Sequence, residues 1–82
     1  MGAKVILKLG RMSMNMEEAT IAKWHRAPGE SFCKGEPLYD IETEKVTMEV
    51  EAPCDGVLIE VLVATQQDAE VGQAVCRIEM HP

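Results

Sequence analysis

The stretch DIETEKVTMEVEAP, Asp40 to Pro53, sets one lysine, Lys45, among Asp40, Glu42, Glu44, Glu49 and Glu51. Taken alone, a lysine in a polar turn reads as a solvated charge. Two chemistries would give it more to do. A Schiff-base or general-base amine needs a desolvated pocket. An exposed amine at a rigid tip needs only to be reachable, so that another enzyme can attach a group to it. The flanking elements decide between the two. PLYDIE before the lysine and VTMEVEA after it both read as short strands. In the second, Val46, Met48 and Val50 alternate with Thr47, Glu49 and Glu51, the period of a half-buried strand with one acidic, wet face. Two such neighbours leave Thr43 to Val46 as a tight turn with Lys45 at its tip. Nothing there would bury the amine, so attachment fits and base chemistry does not. The surrounding carboxylates have two readings that can both hold. They are a solvated face that protects a sheet edge from aggregation, and they are a guide for a basic enzyme surface.

The totals describe one small, acidic, globular domain. The chain has 82 residues, and residues 1–82 read as one domain with an ordered core from about 4 to 80. Hydrophobic residues make up 46% and charged residues 27%, which is globular composition rather than disorder. Only 4% is aromatic, so the core must be mainly Val, Ile, Leu and Met. A formal net charge of -6 disfavours phosphate backbones and argues against nucleic-acid binding. Cys33, Cys54 and Cys76 are odd in number and lack CxxC spacing, which points away from a disulfide framework or zinc site and toward a reducing compartment, cytoplasm or mitochondrial matrix. No apolar run reaches membrane-spanning length and no signal peptide is visible, so no membrane partner is expected.

A repeat lies beneath the surface composition. Ala19–Glu42 and Gly56–Glu79 align at a constant offset of 37 residues (56 − 19). Ile21 meets Leu58, Trp24 meets Val61, Phe32 meets Ala69, Gly35 meets Gly72, Leu38 meets Val75, and Ile41 meets Ile78. Two copies are too few for a solenoid, so a closed domain with internal two-fold symmetry is expected. The second copy begins with GVLIEVLVA, rich in β-branched residues after a turn signal, and reads as strand. In the first copy, NMEEATIAKWHRAPG has the marks of a helix: Asn15 as cap, Glu18 completing a capping box, Pro28-Gly29 as the stop. The repeat predicts a strand instead, because its partner is a poor helix. The expected fold is all-β, with short antiparallel strands in two sheets packed face to face. Gly29, Gly35, Gly56 and Gly72 are expected at structural turns. His25 and His81 have no companions at ligand spacing and read as surface residues; Trp24 reads as a core or core-edge anchor. No metal site is expected.

The spaced pattern of Gly29, Phe32, Leu38, Ile41, Lys45, Val50, Gly56 and Leu58, with IETEKVTMEVEAPCDGVL around the lysine, resembles the lipoyl domains of 2-oxo acid dehydrogenase complexes. MEEATIAKW resembles their first entry strand and VGQAV their second-half loop, so the resemblance runs from about Val5 to Glu79. It implies a flattened barrel of two four-stranded antiparallel sheets with quasi-two-fold symmetry, the lysine at a hairpin tip and the termini together in the other sheet. It also implies that Lys45 carries lipoate as an amide. The domain would then be no enzyme itself but a swinging arm for acyl groups. Its partners would be a lipoate ligase or lipoyl transferase, a thiamine-diphosphate-dependent decarboxylase (E1), an acyltransferase core (E2) and dihydrolipoyl dehydrogenase (E3). Glu42, Thr43, Glu44 and Val46 would be read by the ligase or partners. Biotinyl carriers share the fold but flank their lysine with Met; Glu44 and Val46 stand here instead, which favours lipoate. A biotinyl carrier of a carboxylase, or an unmodified interaction module of the same fold, remain the alternatives. Three positions depart from the family pattern: Ala19 and Gln66 replace usual glycines, and Ala69 is smaller than the usual Val. They fall on a bend and a loop, where an L-residue forced to positive φ costs about 1–2 kcal/mol. The alternation of Met12, Met14 and Met16 replaces the usual entry segment and reads as partial core cover.

Overall fold

The computed structural model describes residues 2–11 and 16–81. It contains eight strands: β1 (Ala3–Lys8), β2 (Glu18–Trp24), β3 (Ser31–Phe32), β4 (Pro37–Glu42), β5 (Thr47–Glu51), β6 (Gly56–Val61), β7 (Asp68–Glu70) and β8 (Ala74–Met80). They form two four-stranded antiparallel sheets, ordered β1-β8-β6-β3 and β5-β4-β2-β7. The expected two-sheet fold is therefore the observed one. Met12, Met14 and Asn15 lie outside the described residues. The segment with helical marks is strand β2, because Ile21 and Ala19 each find a cross-strand partner, Ile41 in β4 and Ala69 in β7. Tertiary pairing of an apolar face outweighs a propensity difference of a few tenths of a kcal/mol per residue.

The offset of 37 governs the backbone as well as the side chains. It carries β2, β3 and β4 onto β6, β7 and β8. The N–H of Gly29 donates to the Leu58 carbonyl at 2.7 Å, and the N–H of Gln66 donates to the Ile21 carbonyl at 2.7 Å. The N–H of His25 reaches the Leu38 carbonyl at 2.9 Å, and that of Leu62 reaches the Val75 carbonyl at 2.9 Å. Side-chain caps repeat too. Glu30 accepts from the Ala27 N–H (2.6 Å) as Gln67 accepts from Ala64 (2.8 Å), and Glu36 caps Cys33 (2.7 Å) as Gln73 caps Glu70 (3.0 Å). Register shifts fall at matching places, between Ile21 and Lys23 and between Leu58 and Glu60.

The core lies between the sheets and is drawn equally from both copies. Ile21, Leu38 and Ile41 face Leu58, Val75 and Ile78, all fully buried, and Leu9, Met16, Phe32 and Val63 close the ends. Met16 is thus core cover, as expected. Trp24 is half-buried against this cluster; its Nε1–H donates to the Val63 carbonyl at 2.9 Å and its ring meets Tyr39 at 4.8 Å between centroids. Tyr39 and Cys76 are equivalent under the offset. Burial pushes each up to about 12, with the Cys76 sulfur adding to the rise at Tyr39. Cys33, Cys54 and Cys76 are free thiols at exposed, half-buried and buried positions.

The turn glycines divide by role. Gly29, Gly35 and Gly72 have φ of 94°, 88° and 91°, a region where glycine carries no steric penalty. Gly56 was expected among them but is the first residue of β6. A Cβ there would lie 2.4 Å from the Glu79 carbonyl oxygen, so what it provides is close approach between strands.

Candidate functional site

Lys45 lies in the connection between β4 and β5, the edge hairpin of its sheet. The strands hold register to the end: Ile41 pairs with Met48 and Glu42 with Thr47. Thr43 and Val46 then face each other across a two-residue tip, Glu44-Lys45. Such short tips usually adopt turns with positive φ, for which Gly and Asn are suited. Neither Glu44 nor Lys45 has positive φ. Thr43 supplies the compensation. Its N–H donates to the Val46 carbonyl at 2.8 Å, and its hydroxyl donates to the same oxygen at 3.2 Å. The hydroxyl also accepts long contacts from the N–H groups of Lys45 (3.4 Å) and Val46 (3.3 Å). One half-buried side chain thereby touches three of the turn's backbone polar groups and braces the tip that carries Lys45.

Glu44, Lys45 and Val46 are exposed, Val46 to 49%. Val46 thus leaves an apolar side chain open to solvent beside the lysine. Glu42 is exposed on the outer face of β4. The four residues expected to be read by a partner are thus contiguous on the surface around Lys45. Asp40, Glu49 and Glu51 lie further down the outer face, toward the hairpin base.

Sequence reasoning missed the other side of the tip. A groove of about 750 Å³ runs beside Lys45, bounded by the hairpin on one wall and by Met16, Ala19, Thr20 and Asp68 on the other. The Thr20 hydroxyl donates to Asp68 at 2.6 Å, tying β2 to β7 at the groove floor. Local sequence carries no mark of this wall, because Asp68 reaches the hairpin only through the pairing of β7 with β2. The repeat alone could have placed it.

His25 also differs from expectation. It is half-buried, and its Nε2 lies 2.8 Å from Asp40 Oδ1. The partner comes from β4 across the sheet, so sequence spacing could not reveal it. His81 is exposed.

A sequence model of the family described as "Biotin-requiring enzyme" (Biotin_lipoyl) matches residues 6–78. The chain is 39% identical over 75 residues to the dihydrolipoyllysine-residue succinyltransferase component of the 2-oxoglutarate dehydrogenase complex of Rickettsia bellii, covering 92% of this chain and 18% of that protein. It is 33% identical over 78 residues to the dihydrolipoyllysine-residue acetyltransferase component of the acetoin cleaving system of Bacillus subtilis, covering 95% of this chain and 19% of that one. Among solved structures, the lipoyl domain of the 2-oxoglutarate dehydrogenase complex from Azotobacter vinelandii superposes with a TM-score of 0.73 at 33% identity, covering 90% of this chain and 95% of that one. The chain spans less than a fifth of the length of these curated relatives.

Proposed function

The chain belongs to the biotin/lipoyl attachment family and is a lipoyl-type carrier domain, and from that premise we propose that Lys45 is its lipoylated residue. The observation that carries this reading is the tip itself. Lys45 stands exposed between two register-locked strands, in a turn braced by the Thr43 hydroxyl. The other lysines offer no equivalent. Lys4, Lys8 and Lys23 lie within strands, and Lys34 lies in a turn whose N–H is held by Asp55 at 2.7 Å.

Attachment joins the lipoate carboxyl carbon to Lys45 Nζ as an amide, with net loss of one water. It removes one positive charge from a chain whose formal net charge is already -6. Lipoate supplies a dithiolane that accepts and releases acyl groups; the domain's part is to hold it out on a long, flexible stem. A lipoate ligase or lipoyl transferase would load the arm, reading Glu42, Thr43, Glu44 and Val46. The arm would then serve a 2-oxo acid dehydrogenase complex, passing from the thiamine-diphosphate decarboxylase (E1) to the acyltransferase core (E2) and on to dihydrolipoyl dehydrogenase (E3). The dihydrolipoyllysine-residue acyltransferase names of the longer relatives support this assignment. In the whole protein, residues from about 4 to 80 would act as the mobile carrier of an acyltransferase component. The three free thiols fit a reducing compartment, cytoplasm or mitochondrial matrix.

The test is intact mass and peptide mapping after co-expression with a lipoate ligase and free lipoate, beside the same experiment with biotin ligase. A single lipoyl increment on Lys45, absent in a folded Lys45→Arg variant, is the expected result. Lipoylation at another lysine would overturn the site, and biotinylation without lipoylation would overturn the cofactor.

A further inference from the structure

The outer face of the lysine-bearing sheet holds a second constellation, midway along the hairpin that carries Lys45. His25 follows β2, Asp40 lies in β4 and Glu49 in β5. One ring nitrogen and two carboxylate oxygens from these residues all lie within 4.8 Å of one another. His25 Nε2 and Asp40 Oδ1 are 2.8 Å apart, on side chains only 24% and 19% exposed. Asp40 and Glu49 are direct cross-strand partners, a placement in which like charges repel. Lys23 faces Asp40 from β2, yet among the described residues it joins neither carboxylate in an ion pair.

We propose that His25, Asp40 and Glu49 form a binding site for a divalent cation of the zinc class. An imidazole with two carboxylates is a mixed N/O donor set, which suits late first-row divalent ions. Calcium and magnesium favour all-oxygen shells. Three protein ligands leave room for water, as in open rather than closed zinc sites. Ligand atoms about 2.0–2.2 Å from a tetrahedral zinc lie roughly 3.3 Å apart. The His25–Asp40 pair, hydrogen-bonded at 2.8 Å, must give up the proton it shares and open by about half an ångström to bind the ion. Glu49 is exposed and must close by on the order of an ångström, within reach of its rotamers. The cation relieves the repulsion between Asp40 and Glu49. It also ties the end of β2 to β4 and β5 midway along the hairpin that carries Lys45. The site is independent of whether Lys45 is modified.

The experiment titrates the untagged, unmodified chain with zinc chloride in a Cys33→Ser, Cys54→Ser background, which removes the two accessible thiols. Calorimetry and amide NMR spectra are recorded together. The expected result is one saturable equivalent, with shifts centred on residues 25, 40 and 49 and a melting temperature that rises with excess zinc. His25→Gln and Glu49→Gln should each weaken binding about tenfold or more. Glu51→Gln, on the same strand and face but outside the cluster, should leave it unchanged. Glu49 is exposed, so its variant reports even if His25→Gln fails to fold. Absence of saturable binding, binding that survives Glu49→Gln undiminished, or shifts centred on His81 would each overturn the site.

Discussion

The two sheets follow one backbone plan and finish it differently. At the far end of β4 the chain turns through Thr43–Val46 into β5. At the equivalent end of β8, Met80 pairs with Ala3 and the two strands lie side by side with no turn joining them. Elsewhere the copies match closely: the four described residues with positive φ are Gly29 with Gln66 and Gly35 with Gly72, two pairs at the offset of 37. The caps at Glu30 and Gln67, and at Glu36 and Gln73, are matched as well. The scaffold is therefore specified twice, by paired turns and a shared core, while the proposed attachment lysine, Lys45, sits in a hairpin that has no counterpart between β8 and β1. A site placed there can be varied without disturbing the repeated contacts that hold the fold.

The sharpest way to break this contrast is to exchange the two tip residues. The double variant Glu44→Lys, Lys45→Glu keeps composition and every strand contact but re-aims the amine around the turn. Lipoylation should slow roughly a hundredfold, the scale of a small misplacement at a reacting centre. The melting temperature should stay within about a degree or two, because both side chains are exposed. Equal lipoylation rates in a quantitative mass assay would show that the tip's geometry does not matter.

A smaller effect separates the copies inside the core. Gly56 and Ala19 are equivalent, but Gly56 pairs with Phe32 while Ala19 pairs with Ala69. The large ring in one copy faces a missing side chain, and two small methyls face each other in the other. The departures at Ala19 and Ala69 thus offset one another. At Gly56 an added Cβ meets the Glu79 carbonyl oxygen at 2.4 Å and Phe32 at 3.3 Å. Gly56→Ala should cost roughly 1–3 kcal/mol by overpacking, and Ala19→Gly only about 1 kcal/mol through strand entropy. Urea unfolding of both variants checks the ratio; equal losses would mean the volumes are not compensated.

The axis also brings together Tyr39 and Cys76, equivalent residues that are both held neutral by burial. An unfolded thiol loses its proton near 9.0, whereas the folded one holds it to about 12. The unfolded chain then binds fewer protons, so stability falls as pH rises. The contribution is complete below about pH 9 and is lost progressively toward pH 12. Cys76→Val should lessen the stability lost between pH 9 and pH 10 by about 1 kcal/mol, measured by urea unfolding at the two pH values. Identical losses in parent and variant would place the titration elsewhere, Tyr39 being the next candidate with a folded value also about 12.

Much of this was legible in the chain. The offset of 37, the alternation in VTMEVEA and the tip lysine are local or periodic signals, and they survive into the structure because each core position has an equivalent doing the same work. What stayed hidden depends on which strand lies beside which. The helical marks on residues 15–27 lost to pairing with β4 and β7. The His25–Asp40–Glu49 cluster and the wall formed by Thr20 and Asp68 join residues from separate strands. Gly56 looked like a turn glycine because its need for space comes from Glu79, across the sheet.

The smallest effect tests the pair where the copies differ in residue but agree in backbone. Gln66 holds φ of 72° where Gly29 holds 94°. A side chain in that region costs about 1–2 kcal/mol, which is tolerated because the N–H of Gln66 must point at the Ile21 carbonyl to close the loop. Gln66 is exposed, and only its backbone takes part in that bond. Gln66→Gly should therefore keep the bond and relieve the strain, against about 0.5–1 kcal/mol for the greater freedom of glycine in the unfolded chain. The net gain should be a few tenths to about 1 kcal/mol. Gly29→Ala should lose a similar amount, since its added Cβ meets no neighbour and only the conformation opposes it. Opposite signs at the two positions, read from urea midpoints, would tie both loops to one conformational demand. A loss at Gln66→Gly would mean that its side chain contributes something the backbone does not.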